Sequence, residues 1–222
     1  MQPPVEIRHW SDRTRVVAWR WYFPERALPW ASTNGKRFHE WMSNLKSGSD
    51  VALTLFANVI ARLCEDGLLR PDAIAATPSS QKYEIQTKHS VAALSSMVAQ
   101  MLTVGDLNDL VRRTRTVPRA VARPGMRDEE VQFSSMQVSG PMPPNVGTIL
   151  LLDDVLTSGS TARAAVRRIR EMSATVQIDV LALGKTNATG STQFPDVPAF
   201  PDPSIQKIKT LQKRMPDLFR ST

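Results

Sequence analysis

The chain has 222 residues, of which 41 % are hydrophobic and 22 % charged, and this length and composition are typical of one globular domain. Its net charge of +7 favours an anionic ligand. Its apolar runs are shorter than the roughly 20 residues that span a bilayer and its first residues lack a secretory-signal pattern, so we expect a cytoplasmic protein without a membrane partner. The single cysteine, Cys64, excludes an internal disulfide and a cysteine-based zinc site.

Residues 1–48 are distinguished by aromatic content, and we interpret them as a packed N-terminal cap, or hood. A strand is predicted over residues 15–23 and a short helix over 37–46. An alternative role for the tryptophans is to stack on a base. All the tryptophans of the chain lie here: Trp10, Trp19, Trp21, Trp30 and Trp41.

Two helices and a strand follow. Apolar residues at helical spacing predict helices over 51–66, capped by Asp50, and over 88–102. Residues 72–77 predict a strand that leads into a polar loop, residues 78–82. Residues 108–131 then carry six arginines before the next acid, and their prolines and glycine predict a basic, mobile loop. A further strand is predicted over 132–138.

Residues 149–161 are the most informative part of the chain. Four aliphatic residues lead directly into Asp153 and Asp154, and a hydroxyl-rich turn with one glycine follows. This pattern predicts a buried strand over 147–153, with the acids at its carboxyl end, and a helix over 159–172.

The C-terminal part completes the predicted organisation. A strand is expected over 177–183, and the chain beyond residue 190 is rich in proline and serine, as in a linker, before a final helix from about residue 202. We divide the chain into the cap, an α/β core, and a C-terminal linker and helix: 1–48, 49–190 and 191–222.

Alternating helices and near-continuous apolar strands predict an α/β fold, a central and mostly parallel sheet with helices on both faces. Ligands of such sheets bind at the carboxyl ends of the strands. The loops at 78–82 and 153–161 both leave such ends, so we expect them to converge on one ligand.

The acids and the turn predict the chemistry of that ligand. Asp153 and Asp154 suit the two donors of a cis-diol, or a magnesium ion carried by a sugar polyphosphate. Backbone amides of residues 157–161 at a helix N-terminus suit a phosphate. The turn is not an ATPase P-loop, because no lysine follows Gly159, and it lacks the spaced glycines of a dinucleotide fingerprint.

The string at 149–161 resembles the motif with which type I phosphoribosyltransferases bind 5-phosphoribosyl-1-pyrophosphate (PRPP). The resemblance implies the fold of that family, with a hood over the site. It also implies that Asp153 and Asp154 bind the ribose as catalytic residues. The 5-phosphate would be held by Thr157, Ser158, Gly159, Ser160 and Thr161.

Weaker similarities indicate the ComF-like, amidophosphoribosyltransferase-like branch. Residues 45–50 (LKSGSD) are similar to its LKxxGD segment, residues 74–78 to its VPVP strand, residues 110–116 to its LxRxRxT segment, and Arg127 to its ER arginine. The chain departs from the branch in two ways. It lacks the N-terminal zinc ribbon, and residues 84–90 replace an RGFNQ element that carries arginine.

The activity implied is transfer of a phosphoribosyl group from PRPP to a nitrogen nucleophile, with release of pyrophosphate. Mg²⁺ would be held mainly by PRPP, without dedicated protein ligands. His89 is the nearest candidate for a general base. The pyrophosphate would be bound by Pro78, Ser79, Ser80 and Lys82, under a flexible basic loop that includes Arg112, Arg113, Arg115 and Arg127.

A second class of function stays open. Some proteins of this fold sense PRPP and regulate genes, and the arginines and tryptophans would then contact phosphates and bases of a nucleic acid. An accessory role in DNA processing rests on the same resemblance. The acceptor, and whether the chain forms a homodimer, are also left open by the sequence.

Overall fold

The computed structural model describes residues 6–25, 28, 31–83, 90–117 and 129–186. Within these ranges the chain alternates strands and helices around one main sheet. The strands are β1 (Glu6–Ser11), β2 (Thr14–Trp21), β3 (Ala73–Ala76), β4 (Gly105–Asp106), β5 (Val111–Arg113), β6 (Met136–Val138), β7 (Thr148–Leu156) and β8 (Gln177–Lys185). The helices are α1 (Thr33–Lys46), α2 (Asp50–Glu65), α3 (Ser90–Leu102), α4 (Glu129–Ser134) and α5 (Ser160–Met172).

The main sheet has six strands in the order β1-β2-β8-β7-β3-β4. Its strands are parallel from β2 to β4, and β1 alone pairs antiparallel, with β2. The predicted α/β architecture, a mostly parallel sheet flanked by helices, is therefore confirmed. A separate antiparallel pair joins β5 and β6.

The two faces of the sheet are covered by different helices, as alternation along β7 requires. Leu150 and Leu152 point into a core that includes α1, α2 and α3. Ile149 and Leu151 point into a second core that includes α5. Because β7 is covered on both faces, its sequence is a continuous aliphatic run rather than an alternating one.

Strand β7 is longer than predicted and includes both acids. Asp153 pairs with Ala182 of β8, and the pairing continues to Leu156 beside Lys185. The apolar run ends at Leu152, so the pattern alone placed the end of the strand too early. The acids are therefore fixed on a hydrogen-bonded strand and not on the loop after it.

The described part of residues 1–48 supplies strands β1 and β2 to the edge of the central sheet and helix α1 to its core. Strand β2 pairs along its length with β8. Trp19 is 1 % exposed and packs edge-on against Phe38 and Phe56, at ring-centroid distances of 5.9 and 6.2 Å. This burial removes Trp19 as a stacking surface for a base; Trp30 lies outside the described residues.

Three local predictions are corrected. The strand predicted over 132–138 is only half a strand, because its first residues form the end of α4. Helix α2 begins at Asp50 and its N-cap is Ser49, without a side-chain hydrogen bond. Arg112 and Arg113, expected in a mobile loop, form part of β5. Cys64 agrees with its predicted place in the core, where burial above all raises the pKa of the thiol to about 11.

Several expectations fall outside the described residues. They are His89, Arg127, the final helix expected from about residue 202, and the linker before it. In the described ranges, no helix combines the length and apolar character needed to cross a membrane.

Candidate functional site

The strands from which the two predicted loops leave, β3 and β7, lie side by side at the carboxyl edge of the sheet. Strand β3 pairs with β7 so that Ala76 lies opposite Leu152. This register brings Thr77, the next residue, beside Asp153. The Thr77 hydroxyl donates a hydrogen bond of 2.9 Å to Asp153 Oδ1, and Thr77 N donates to Leu152 O at 2.8 Å.

The pKa of the Asp153 carboxyl group is shifted far above its usual value. Burial, and then the adjacent Asp154 carboxylate, raise its pKa to about 7. The Thr77 hydroxyl, the Asp154 backbone N–H and the Lys46 ammonium act in the opposite direction. Near neutral pH this pair is therefore ready to accept hydrogen bonds from a ligand or to share a proton, as is typical of functional carboxylates.

Lys46 is a site residue that the sequence analysis did not identify as one. It ends α1, and its Nζ lies 3.2 Å from Asp154 Oδ2. The same Nζ lies 5.3 Å from the centre of the Tyr22 ring. A lysine in the last turn of a helix is common for reasons of the helix dipole alone, so only its place in the LKSGSD segment could have indicated this contact.

The turn after β7 has the shape expected of an anion-binding turn. Gly159 has a φ of +78°, in the left-handed region, and α5 begins at the next residue. The hydroxyls of Ser158 and Ser160 lie 3.1 Å apart. A left-handed residue directly before the helix turns successive backbone N–H groups towards one side, and with the helix N-terminus this arrangement attracts an anion.

Two residues pack closely around Gly159. A Cβ at this position would lie 3.1 Å from Arg163 Nη1 and 3.2 Å from Trp10 Cζ2. The guanidinium of Arg163 stacks over Trp10 at 5.3 Å from the ring centroid, and its Nε donates to Glu129 at 2.8 Å. Only glycine fits both the backbone angle and the space, so the turn is constrained by its neighbours as well as by its own sequence.

The polar loop after β3 is anchored by the segment that follows β5. Ser80 O accepts from Val117 N at 2.9 Å, and Lys82 N donates to Thr116 Oγ1 at 3.0 Å. Pro78 and Ser79 are partly exposed beside them. The predicted pyrophosphate-binding residues thus lie on a loop whose backbone is held by one hydrogen bond to a backbone group and one to a side chain.

The arginines expected in a flexible loop have fixed partners where the structure describes them. Arg113 is 3 % exposed, and burial lowers the pKa of its guanidinium to about 10. Arg112 pairs with Asp109 at 2.8 Å and stacks on Tyr83. Arg115 Nη2 donates to Ser134 Oγ at 2.9 Å. The loop interpretation is therefore corrected for Arg113, which is an interior residue.

The carboxylate oxygens of Asp153 and Asp154 would suit a cation whose other ligands come from a bound molecule. The described residues contain no group of three or more histidine, cysteine or acidic side chains arranged to hold a metal ion. Two adjacent carboxylates, with the proton affinity of one raised by the other, would nevertheless be stabilised by a divalent cation. Such an ion needs further oxygen ligands, which a sugar polyphosphate supplies.

The site therefore combines a carboxylate pair, a glycine turn at a helix N-terminus, and an anchored loop after the neighbouring strand. No protein-family model matches the chain, and a search of curated proteins finds no match either.

Proposed function

We propose that the chain is a PRPP-binding phosphoribosyltransferase of the type I fold, which transfers a phosphoribosyl group to a nitrogen nucleophile and releases pyrophosphate. The observation that carries this proposal is the arrangement of Asp153 and Asp154 on β7 directly before the turn at Gly159. One ligand that presents two neighbouring hydroxyls and a phosphate, as ribose 5-phosphate does, would satisfy both features at once.

The second loop supports PRPP over a simple pentose phosphate. Thr77 contacts Asp153 and leads directly into Pro78 and Ser79, so the loop begins beside the carboxylates. The ribose hydroxyls would donate to the acids, the 5-phosphate would bind at residues 157–161, and the pyrophosphate on C1 would lie along residues 78–82. The ribose hydroxyls, the 5-phosphate and the pyrophosphate would then each bind to a different segment of the chain.

The reaction proposed is displacement at C1 of the ribose. The bond from C1 to the pyrophosphate oxygen breaks, a bond from C1 to the acceptor nitrogen forms, and the nitrogen loses a proton. Positive charge develops on the ribose ring, so placement of carboxylates near it lowers the barrier. Magnesium bound to PRPP would neutralise charge on the departing pyrophosphate.

A PRPP-sensing regulator or nucleic-acid-binding protein is the alternative, and the described arginines weigh against it. Arg112, Arg163 and Arg168 each form an ion pair with an acidic neighbour. Positive side chains neutralised in this way add little to the non-specific attraction of a nucleic acid.

The binding half of the proposal is tested by thermal unfolding with PRPP and Mg²⁺. We expect PRPP to raise the melting temperature, because a ligand that binds only the folded state stabilises it. The double variant Asp153→Asn/Asp154→Asn should lose this shift, while Asp12→Asn, an exposed acid in the β1–β2 turn, should keep it. An unchanged shift in the double variant would contradict the ribose assignment.

The transferase half needs a separate assay. The chain is incubated with PRPP, Mg²⁺ and a panel of bases and amines, and pyrophosphate release is measured against the double variant. Release that depends on one acceptor supports a transferase. No release with any acceptor, together with salt-sensitive binding of DNA or RNA, would favour the regulator instead.

A further inference from the structure

Arg113 lies between the two loops that the proposed function assigns to the anionic groups of PRPP. Its Nε donates to the backbone oxygen of Ser79 at 2.7 Å. Its Nη2 donates to Gln132 Oε1 at 2.6 Å, and its Nη1 contacts Ser135 Oγ and, at 3.5 Å, Gln132 O. One guanidinium thus joins the loop after β3 to helix α4.

Gln132 extends this connection to the phosphate turn. The oxygen that accepts from Arg113 also lies 3.4 Å from Thr161 Oγ1, a donor in the first turn of α5. Because arginine has no acceptor, the Gln132 amide must turn its oxygen towards Arg113, and the same oxygen is then available to Thr161. A chain of three contacts therefore connects Ser79 with Thr161 behind the predicted ligand.

The charge of Arg113 is a second observation that indicates an anion. All its hydrogen-bond partners are neutral: two backbone oxygens, an amide oxygen and a hydroxyl. Among the residues that the structure describes, no acidic side chain pairs with Arg113. A buried cation without a counter-ion is unfavourable, and burial lowers the pKa of this guanidinium. An anion bound at the loop that begins at Ser79 would place a negative charge near this guanidinium.

We propose that Arg113 is a positioning residue that couples the pyrophosphate loop to the 5-phosphate turn, so that an anion bound at one makes the other more favourable for its own anion. This inference rests on the proposed function and adds a cooperative link within that site. Arg113 is assigned no contact with the ligand; it acts by fixing the Ser79 peptide and, through Gln132, the Thr161 hydroxyl.

The coupling is measurable with the two halves of PRPP. Ribose 5-phosphate and pyrophosphate, each with Mg²⁺, are titrated into the full chain by calorimetry, alone and with the other present. We expect each to tighten the binding of the other about tenfold in the wild type. Reciprocity of the two factors is the internal check, since coupling of equilibria is symmetric.

Two variants locate the coupling. Gln132→Met keeps the volume of the side chain and the Arg113–Ser79 contact but removes the shared oxygen, so each fragment should bind nearly as in the wild type while the coupling factor falls towards one. Arg113→Lys keeps the charge but loses the planar fork, so it should lose both pyrophosphate affinity and coupling. Arg62→Lys, in an exposed ion pair of α2, is the matched control.

If Arg113 and Gln132 had only a structural role, these variants would be less stable. The coupling factor would then not fall while the affinity for each single fragment stayed near that of the wild type. Should Gln132→Met or Arg113→Lys fold poorly, Ser135→Ala removes one acceptor of the guanidinium and should reduce the coupling factor. A wild type that binds PRPP but binds its two halves independently contradicts this inference alone, as do variants that keep the coupling. A wild type that binds neither PRPP nor either half contradicts the proposed function as well.

Discussion

The Thr77 hydroxyl and the Asp153 carboxylate form a hydrogen bond of 2.9 Å between residues 76 positions apart in the chain. It exists because β3 and β7 are parallel neighbours that bring their carboxyl ends to the same edge of the sheet. The bond favours the ionised form of Asp153, against burial and against the charge of Asp154. The first prediction follows from that opposition.

Thr77→Val should raise the pKa of Asp153 further, because the carboxylate loses a donor that stabilises its charge. The pH at which PRPP binding reaches half of its maximal affinity should move up by about one unit, as expected for a hydrogen bond to a charged group. Calorimetric titration with PRPP between pH 5.5 and 8.5 measures this.

The control is Thr54→Val, which removes a buried hydroxyl that donates to Asp50 O at 2.8 Å inside α2. Thr54 and Thr77 are 4 % and 3 % exposed, so the two variants disturb equally buried positions. An equal shift in both would contradict a specific role for the Thr77 bond.

Asp153→Asn should make the folded chain more stable at pH 8. The pKa of Asp153 is raised to about 7 in the folded state from 3.8, so between these values the folded state holds a proton that the unfolded chain has lost. Stability therefore falls as pH rises through this window. Asparagine cannot ionise, and its oxygen can still accept from Thr77.

The gain at pH 8 should be on the order of 1–2 kcal/mol, or ~2–6 °C in melting temperature. Thermal unfolding of the wild type and of Asp153→Asn at pH 5 and pH 8 measures this gain. The melting temperatures of the two proteins should differ less at pH 5 than at pH 8. The exposed variant Asp12→Asn serves as control. A constant difference at both pH values would mean that the raised pKa is not its source.

Lys46→Gln should weaken PRPP binding at pH 7. The ammonium lies 3.2 Å from Asp154 Oδ2, and its charge lowers the pKa of Asp153 and so favours the ionised form of that carboxyl group. Both partners are partly exposed, so the effect should be modest, on the order of 1 kcal/mol or about fivefold in affinity.

The difference should become smaller at pH 8.5, which is above the pKa of about 7 of Asp153, so that this group is ionised without the help of Lys46. Lys36→Gln, an exposed lysine at the other end of α1, is the matched control. The wild type, Lys46→Gln and Lys36→Gln are each titrated with PRPP at pH 7 and pH 8.5. Equal affinities of the wild type and Lys46→Gln at pH 7 would contradict the assignment of Lys46 to the site.

Gly159→Ala and Gly48→Ala separate backbone strain from crowding. Both glycines are left-handed, with φ of +78° and +80°, so either alanine costs about 1–2 kcal/mol. Nothing lies within 4 Å of a Cβ at Gly48, whereas one at Gly159 would crowd Arg163 and Trp10. We therefore expect a larger loss of stability at Gly159.

Only Gly159→Ala should also weaken the binding of PRPP, because its phosphate turn must shift. Chemical unfolding gives the two stabilities and calorimetry gives the two affinities. If both alanines reduce affinity to the same extent, the effect is not local to the turn.

The string at 149–161 predicted its own structure well because each local preference there supports the same element. An aliphatic run, two acids, a glycine turn and an alanine-rich helix leave few alternatives. That both loops leave the same edge of the sheet was also predictable, since it depends only on the parallel arrangement of β3 and β7. The pairing of β7 with β8 beyond the apolar residues was not, because it is set by the length of the neighbouring strand.

Residues far apart in sequence account for what the pattern missed. The arginine-rich composition near Arg113 is typical of an exposed loop, but two segments distant in sequence, at Ser79 and at Gln132 to Ser135, accept hydrogen bonds from that one guanidinium. Gln132 was placed in a strand because its neighbours are compatible with either structure, and packing of α4 against α5 decides the outcome. The tryptophans were interpreted as a cap because a group of aromatic residues in the sequence does not indicate which part of the fold those residues pack against.

The pairing of β2 with β8 has a consequence for how the chain acquires its structure. Thr14 lies opposite Ile178, so the parallel edge of β2 cannot close until β8, far along the chain, has also been synthesised. Contacts of such long range form slowly. Strand β2 therefore lacks this neighbour until β8 has been made, and β1, its antiparallel partner, is its one neighbour in the described sheet that precedes it in the chain.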